Sequence, residues 1–244
     1  MASLLLMNFL DVARCLGRDP LNARPEDICS FMKKEFRPGG GGFNYNTSIG
    51  SLPDLFRGSI TVEEAVKYCS THGAPAGWKP NCAAIEIAGS YAAAQRSNCY
   101  RIQFSAVPIG RLPGDVTAYM AVKAPLVRVQ DGEIFVVVPG FRLAHRPVGL
   151  EIDVAASLAL ATFGRDDFSE ADYEYLDCSR GSSGERELSV YKGRERRIFN
   201  LDEVDHLLDL YVKGLALAIE AGMTAQKPNF RGYRVIDPEQ PRML

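Results

Sequence analysis

The stretch that decides the fold is residues 126–147, LVRVQDGEIFVVVPGFRLAHRP. Two hydrophobic runs flank Asp131-Gly132, a dipeptide that favours the two-residue turn of a β-hairpin. The second run is apolar through Val138 and then meets Pro139-Gly140, where a strand has to leave its sheet. The pattern therefore predicts an antiparallel strand pair whose second strand is buried and ends at Pro139-Gly140.

Helical patterns precede this hairpin. The first predicted helix is densely apolar, and the second begins at Pro25, whose fixed φ suits the first helical position. Thr61 and Glu64 have the spacing of a capping box for the third helix, and Asn81 is the predicted N-cap of an alanine-rich fourth. The predicted helices are 4–16, 25–36, 62–72 and 82–96, and residues 37–51, RPGGGGFNYNTSIGS, are predicted to form a loop.

Strand and helix patterns alternate in the second half of the chain. Alternating polarity predicts strands, Asn200 and Glu203 have capping-box spacing, and glycines at 164 and 222 are the predicted stops of two helices. The predicted strands are 98–107, 116–122, 126–129, 133–138, 173–178, 186–191 and 233–236, and the helices are 150–163 and 201–221.

This order predicts an α/β (α+β) fold with a mixed sheet of about five strands flanked by helices. Three regions follow from it. Residues 1–79 form an N-terminal helical region with a Gly-rich loop, residues 80–222 form the α/β core domain, and residues 223–244 form a C-terminal tail.

Composition limits the classes of partner. The 244 residues carry a net charge of −2, so binding to nucleic acid has to come from a local patch rather than from the field of the whole protein. Asn8, Asp11 and Arg14 interrupt the apolar start too early for a membrane span, which needs about 20 apolar residues. The six cysteines contain no CxxC pair, which predicts reduced thiols in a cytoplasmic protein.

Motifs for cofactors and catalysis are missing from the sequence. The glycine run lacks the Gly-Lys-Ser/Thr of a phosphate loop, and no Gly-x-Ser-x-Gly elbow occurs. Cys82 and Cys99 lie at opposite ends of a predicted helix, about 25 Å apart at 1.5 Å per residue, so they cannot share a zinc ion. We therefore predict no cofactor, no metal site and no catalytic residue, and we expect the chain not to be an enzyme.

Basic residues are the candidates for binding. An Arg/Lys-rich segment follows the last long strand, and two further arginines follow the hairpin. Such a patch can neutralise several phosphates, although Glu185, Glu187 and Glu195 dilute it. The predicted nucleic-acid-binding residues are Arg142, Arg146, Lys192, Arg194, Arg196 and Arg197.

The element order from Asn81 onward resembles the core of RecB-like nucleases of the PD-(D/E)xK superfamily. In that family a helix glutamate, a strand aspartate and an acid-x-lysine hold magnesium, which activates water for phosphodiester hydrolysis. The resemblance implies that Glu86 is the helix acid and that Asp131-Gly132 is the turn of the catalytic hairpin.

The rest of that motif is absent. The metal aspartate would fall near Ala124, and the second acid and the lysine near Val138 and Gly140. None of these residues can hold a metal ion, and Arg142 comes two residues too late for the lysine. The resemblance therefore implies a nuclease-like domain without the catalytic motif.

Three functions remain open from the sequence. The first is a non-catalytic, nuclease-like domain that serves as a nucleic-acid-associated or complex-assembling subunit. The second is a protein-interaction module, suggested by the apolar residues 4–16 and the low net charge, with a protein partner or self-association. The third is a metal-dependent nuclease whose acids, such as Glu86, Glu151 and Asp153, converge only in the folded chain.

Overall fold

The structure is a computed structural model, and it describes residues 3–36, 43–123, 126–163 and 168–237. Several predictions fall on the remaining residues. The glycine run of the predicted loop, Ala124 as the position of a metal aspartate, Gly164 as a helix stop and the end of the tail lie outside the described residues.

Two mixed β-sheets form the framework. One has the strand order β2 (Asn98–Arg101), β5 (Leu126–Gln130), β6 (Glu133–Gly140), β7 (Asp172–Asp177) and β8 (Ser189–Lys192). The other has the order β1 (Leu6–Asn8), β4 (Val116–Val122), β3 (Phe104–Leu112) and β9 (Tyr233–Val235). Neighbouring strands are antiparallel except in the pairs β1–β4, β3–β9 and β6–β7.

Helices cover these sheets. They are α1 (Phe9–Leu16), α2 (Pro25–Glu35), α3 (Asn46–Arg57), α4 (Val62–Cys69), α5 (Pro75–Ala94), α6 (Glu151–Phe163) and α7 (Leu201–Glu220). One buried cluster joins α3, α4 and α5 to one face of the five-stranded sheet. A second joins its other face to α1, α6, α7 and the four-stranded sheet. The α+β class and the mixed five-stranded sheet are confirmed, and the second sheet is an addition to the prediction.

The central hairpin is confirmed. Asp131 and Gly132 have φ values of 54° and 82°, the positive values that a tight turn of this kind requires. Gln130 pairs with Glu133, and the antiparallel register continues to Leu126 opposite Val137. The turn chemistry of two adjacent residues therefore sets the register of both strands.

The two predicted capping boxes are also confirmed. Thr61 Oγ1 accepts a hydrogen bond from the amide of Glu64, and the Glu64 carboxylate accepts one from the Thr61 amide. Asn200 and Glu203 make the same reciprocal pair at the start of α7. These two boxes satisfy amide groups that the first turn of a helix cannot pair internally.

The N-terminal prediction is wrong in part. A helix was expected over residues 4–16, but residues 6–8 form β1, and only Phe9–Leu16 is helical. Asn8 causes the change because its side chain caps the helix by accepting a hydrogen bond from the Leu10 amide at 3.0 Å. The apolar residues before Asn8 are then free to pair as a strand with β4.

One helix, α3, was not predicted from the sequence, and another, α5, begins earlier than predicted. Residues 46–51 belong to α3 rather than to a loop, although Gly50 and Pro53 lie within that helix. Helix α5 begins at Pro75 rather than at Cys82, so Asn81 is an internal residue and not an N-cap. In both cases burial against neighbouring helices outweighs weak intrinsic helix propensity.

The predicted strand 98–107 is divided. Residues Asn98–Arg101 form β2 in the five-stranded sheet, and Phe104 begins β3 in the four-stranded sheet. The polarity alternates through both parts, so the sequence shows no break between them. Among the described residues, no helix is both long enough and apolar enough to cross a bilayer.

Candidate functional site

Strands β6 and β7 are parallel neighbours, and both end at the same edge of the five-stranded sheet. This edge is where ligands bind in many open α/β sheets. Residues 141–150, which we call the exit loop, lead from β6 to α6 across it. Buried ionisable side chains and their partners gather here, and we call them the polar cluster: Asp11, Arg142, His145, Glu151, Tyr175 and Asp177.

Asp11 on α1 is held by Arg142 of the exit loop. Arg142 Nη2 donates to Asp11 Oδ2 at 2.6 Å, and Arg142 Nη1 lies 2.6 Å from Oδ1. Burial raises the pKa of Asp11, and the nearby positive charge of Arg142 opposes that rise. Burial also lowers the pKa of Lys123, which directly follows β4 and interacts electrostatically with this pair. The charge of Arg142 is therefore committed to a buried carboxylate.

Glu151, at the start of α6, is held by the exit loop as well. His145 Nε2 lies 2.6 Å from Glu151 Oε1, and the amide of Val148 donates to Oε2 at 3.3 Å. Asp177, at the end of β7, accepts a hydrogen bond from the Ser179 amide, while burial raises its pKa. Each acid of the polar cluster thus has a partner within the chain.

Tyr175 closes the space between these acids. Burial, Asp177 and Glu151 together raise its pKa well above the usual value, so the phenol stays protonated. A Cβ atom added at Gly140 would lie 2.6 Å from Cζ of Tyr175, so a larger residue at Gly140 would force the Tyr175 ring to shift. The position that corresponds to the nuclease lysine is therefore filled from the neighbouring strand.

A cavity remains between Arg14, Arg142 and Tyr175, with a volume of about 20 Å³. This volume holds about one water molecule and excludes a nucleotide. Among the described residues, no group of three or more His, Cys, Asp or Glu side chains is placed to hold a metal ion. The polar cluster therefore pairs Asp11 with Arg142 and Glu151 with His145, and it leaves space for about one water molecule.

The predicted nuclease positions do not converge. Glu86 is exposed on α5, and Ile85 beside it packs into the cluster on that face of the sheet. Val138 is buried on the opposite face, against α1 and α6. Asp153, another candidate acid, pairs with Arg196 at 2.5 Å.

Glu151 is the one candidate acid that lies in the polar cluster. Asp11 and Asp177 were missed because they come from segments far apart in the sequence. The sequence carries no local signal that could have brought them together.

The predicted basic residues fall into two groups. Arg142 and Arg146 follow the end of β6, whereas Lys192 and Arg194 lie beside its beginning, at Phe135 and Glu133 respectively. The ion pairs of this set are Arg142–Asp11, Arg194–Glu133, Arg194–Asp172, Arg196–Asp153 and Arg197–Glu203.

Arg146 is exposed and makes no ion pair with a described residue. Four of the six predicted charges are thus neutralised within the chain.

Two further arginines join Arg146 around the exit loop. The carbonyl of Arg18 accepts a hydrogen bond from the Leu150 amide at 3.3 Å, and the Arg180 amide donates to the carbonyl of Leu143 at 3.0 Å. All three arginines are exposed, and within the described chain none of their side chains forms an ion pair. We call Arg18, Arg146 and Arg180 the arginine rim.

No protein-family model and no curated protein matches the chain. A solved structure titled "Crystal structure of SSO0001" is similar to it with a TM-score of 0.37 and 11% sequence identity. The similarity covers 78% of this chain and 86% of that chain.

Proposed function

We propose that this protein is a non-catalytic nucleic-acid-binding domain and that the arginine rim holds the phosphates. One observation carries this proposal. Three exposed guanidinium groups from distant segments lie around one loop, and none of them forms an ion pair with a described residue, although the charge of Arg146 partly offsets the rise that burial causes in the pKa of Asp177. Guanidinium binds phosphate oxygens in a two-point geometry and stays charged at every physiological pH.

The charge arrangement beneath the rim supports binding rather than catalysis. Each acid of the polar cluster already has a partner: Asp11 pairs with Arg142, Glu151 pairs with His145, and Asp177 accepts a hydrogen bond from a backbone amide. Phosphodiester hydrolysis needs a divalent ion on open carboxylates, with room for water and substrate. A cavity of about 20 Å³ between paired charges does not offer that room.

Acids near the rim weaken its positive charge without forming an ion pair with it among the described residues, and the charge of Arg146 partly offsets the rise that burial causes in the pKa of Asp177. Asp19 follows Arg18 in the chain, but its carboxylate accepts a hydrogen bond from Asn22 at 2.8 Å. Glu187 lies on the loop after Arg180, and it accepts a hydrogen bond from Ser183. Because the net charge of the chain is −2, the attraction is local, and we expect binding to weaken steeply with salt.

Fluorescence anisotropy with labelled single- and double-stranded DNA and RNA tests the proposal. We expect binding at about 50 mM salt that falls by 200 mM, as phosphate contacts require. Arg146→Ala and Arg180→Ala should each weaken it. Arg24→Ala is the matched control, because Arg24 is an exposed arginine already paired with Asp27. The absence of binding to every nucleic acid at low salt would refute the proposal.

The metal-dependent nuclease remains a distinct outcome of the same experiment. Magnesium- or manganese-dependent degradation of the labelled strands, abolished by Glu151→Gln, would replace the non-catalytic proposal. Glu151 is the appropriate residue because it is the candidate acid that lies in the polar cluster.

The protein-interaction alternative loses its main support. Its motive was the apolar segment 4–16, yet Leu4, Leu5 and Phe9 of that segment are at most 8% exposed and pack within the core of this chain. Complex assembly through another surface stays part of the proposal, as does a cytoplasmic location. A size-exclusion profile with light scattering would reveal self-association.

A further inference from the structure

A group of exposed aromatic rings lies between α4 and α5. The ring of Tyr68 stacks on His72, with centroids 3.9 Å apart and planes inclined by 20°. Trp78 follows in the first turns of α5, and its Nε1 donates to the carbonyl of Gly73 at 3.3 Å. Tyr68 is 48% exposed and Trp78 is 36% exposed. We call Tyr68, His72 and Trp78 the aromatic platform.

Positive charge accompanies these rings. Lys67 precedes Tyr68 and Lys79 follows Trp78, and both lysines are exposed without an ion pair to any residue the structure describes. Glu63 and Glu64 lie in the first turn of α4, and Glu64 is held in the capping box of that helix. Flat exposed rings beside cations are the combination that binds unpaired bases of nucleic acids.

A series of contacts connects the platform to the exit loop. Arg186 donates from Nη1 to the carbonyl of Phe141 and from Nη2 to the hydroxyl of Tyr45, both at 2.9 Å. The ring of Tyr45 meets that of Phe43 edge to face at 5.3 Å, and Phe43 packs against Gly77, the residue before Trp78. The platform and the exit loop therefore lie at the same end of the five-stranded sheet.

We infer that the aromatic platform stacks on the bases of a single-stranded nucleic acid whose phosphates reach the arginine rim. This inference rests on the proposed function and specifies its ligand. In a duplex both faces of each base are already stacked, so the platform discriminates against it. Every base has a stacking face, so the preference is for single strands and not for a sequence.

The experiment uses the fluorescence of Trp78, the one tryptophan in the sequence. A single-stranded oligonucleotide should quench this fluorescence, because a stacked base contacts the indole. An abasic strand of equal length should bind the rim, as measured by anisotropy, without quenching. A blunt duplex should likewise bind without quenching.

A substitution gives a second measurement. Tyr68→Ala should weaken single-strand binding on the order of ten-fold, as loss of one stacking ring does, and leave abasic binding unchanged. Tyr100→Ala is the matched control, since Tyr100 is 57% exposed on the edge strand β2. Circular dichroism of each variant reports folding. If Tyr68→Ala unfolds, the quenching of Trp78 in the wild-type protein still tests whether bases stack on the platform.

The outcomes separate the two proposals. Binding of single strands without quenching of Trp78, or equal quenching by abasic strands, overturns the inference and leaves the arginine rim as the binding site. The absence of binding to normal strands, abasic strands and duplexes alike refutes the proposed function and the inference together, whereas binding of duplexes alone overturns only the inference. Quenching that Arg146→Ala weakens in parallel with affinity supports both.

Discussion

Arg128 on β5 and Glu174 on β7 form a buried ion pair that crosses the intervening strand β6. Arg128 Nη2 lies 2.7 Å from Glu174 Oε1, Arg128 Nε donates to Oε2 at 2.8 Å, and both side chains are at most 1% exposed. The Tyr91 hydroxyl donates to Glu174 Oε1 at 2.5 Å, and the guanidinium lies 4.4 Å from the centroid of the Phe135 ring. This network ties α5 to the centre of the five-stranded sheet.

Breaking this pair should be costly. Glu174→Ala leaves the Arg128 charge buried without its partner, which we expect to lower the free energy of unfolding by about 3–5 kcal/mol. Urea denaturation measures the change. Glu133→Ala is the control, because it removes the exposed pair with Arg194, worth about 0–1 kcal/mol. Equal changes in the free energy of unfolding would show that the buried pair contributes no more stability than the exposed pair.

Gly140→Ala tests the close approach of Tyr175. The added methyl group would lie 2.6 Å from Cζ of a buried ring, so we expect a loss of about 1–3 kcal/mol from overpacking. Gly50→Ala in α3 has no atom within 4 Å of the new Cβ and should instead gain up to about 1 kcal/mol. Tyr175→Leu should reduce the penalty of Gly140→Ala in a double-mutant cycle, and purely additive effects would contradict the packing argument.

Asp177 should make stability depend on pH. Burial raises its folded pKa above the usual 3.8, so the folded state binds the proton more tightly than the unfolded state. Stability from this group is therefore present below pH 3.8 and lost as the pH rises through the folded pKa. We expect Asp177→Asn to match the wild type in acid and to become relatively more stable toward neutral pH. Urea denaturation across the pH range measures this, and a constant difference would contradict the prediction.

The arginine rim should set the salt dependence of nucleic-acid binding. Each phosphate contact contributes about 0.7–0.9 to the slope of log K against log salt. Arg146→Ala should therefore reduce the slope by about one contact. Arg197→Ala should leave it unchanged, because that guanidinium pairs with Glu203 at 2.5 Å. The reverse result would place the phosphates on the segment after β8.

Local features of the sequence predicted much of the fold. Asp131-Gly132 fixes a hairpin because a tight turn depends on two adjacent residues, and both capping boxes depend on residues three apart. The predicted helix boundaries were wrong where tertiary packing determines them. Helix α5 takes in Pro75 and Pro80, which indicate a connector in the sequence but lie in a helix packed against α3 and α4.

The candidate site lay mostly beyond local patterns. Arg142 and Arg146 were found because they follow a recognisable strand. The sequence could not show that Arg142 pairs with Asp11 whereas Arg146 remains exposed. The sequence did not indicate that Arg18 and Arg180 belong to this site. The exit loop that they contact lies about 130 residues from Arg18 and about 35 residues from Arg180, and no motif near either arginine points to it.

By itself, the sequence determined the central hairpin, the two capping boxes, the order of most elements and the absence of a nuclease motif on β6. These features depend on interactions between residues a few positions apart, which can be recognised in the sequence as local motifs or as periodic patterns. Tertiary structure alone decided the second sheet, the polar cluster of Asp11, Glu151 and Asp177, and which arginines remain unpaired. Such contacts join distant segments, and their energy depends on burial and on the distance between charges, which no local pattern records.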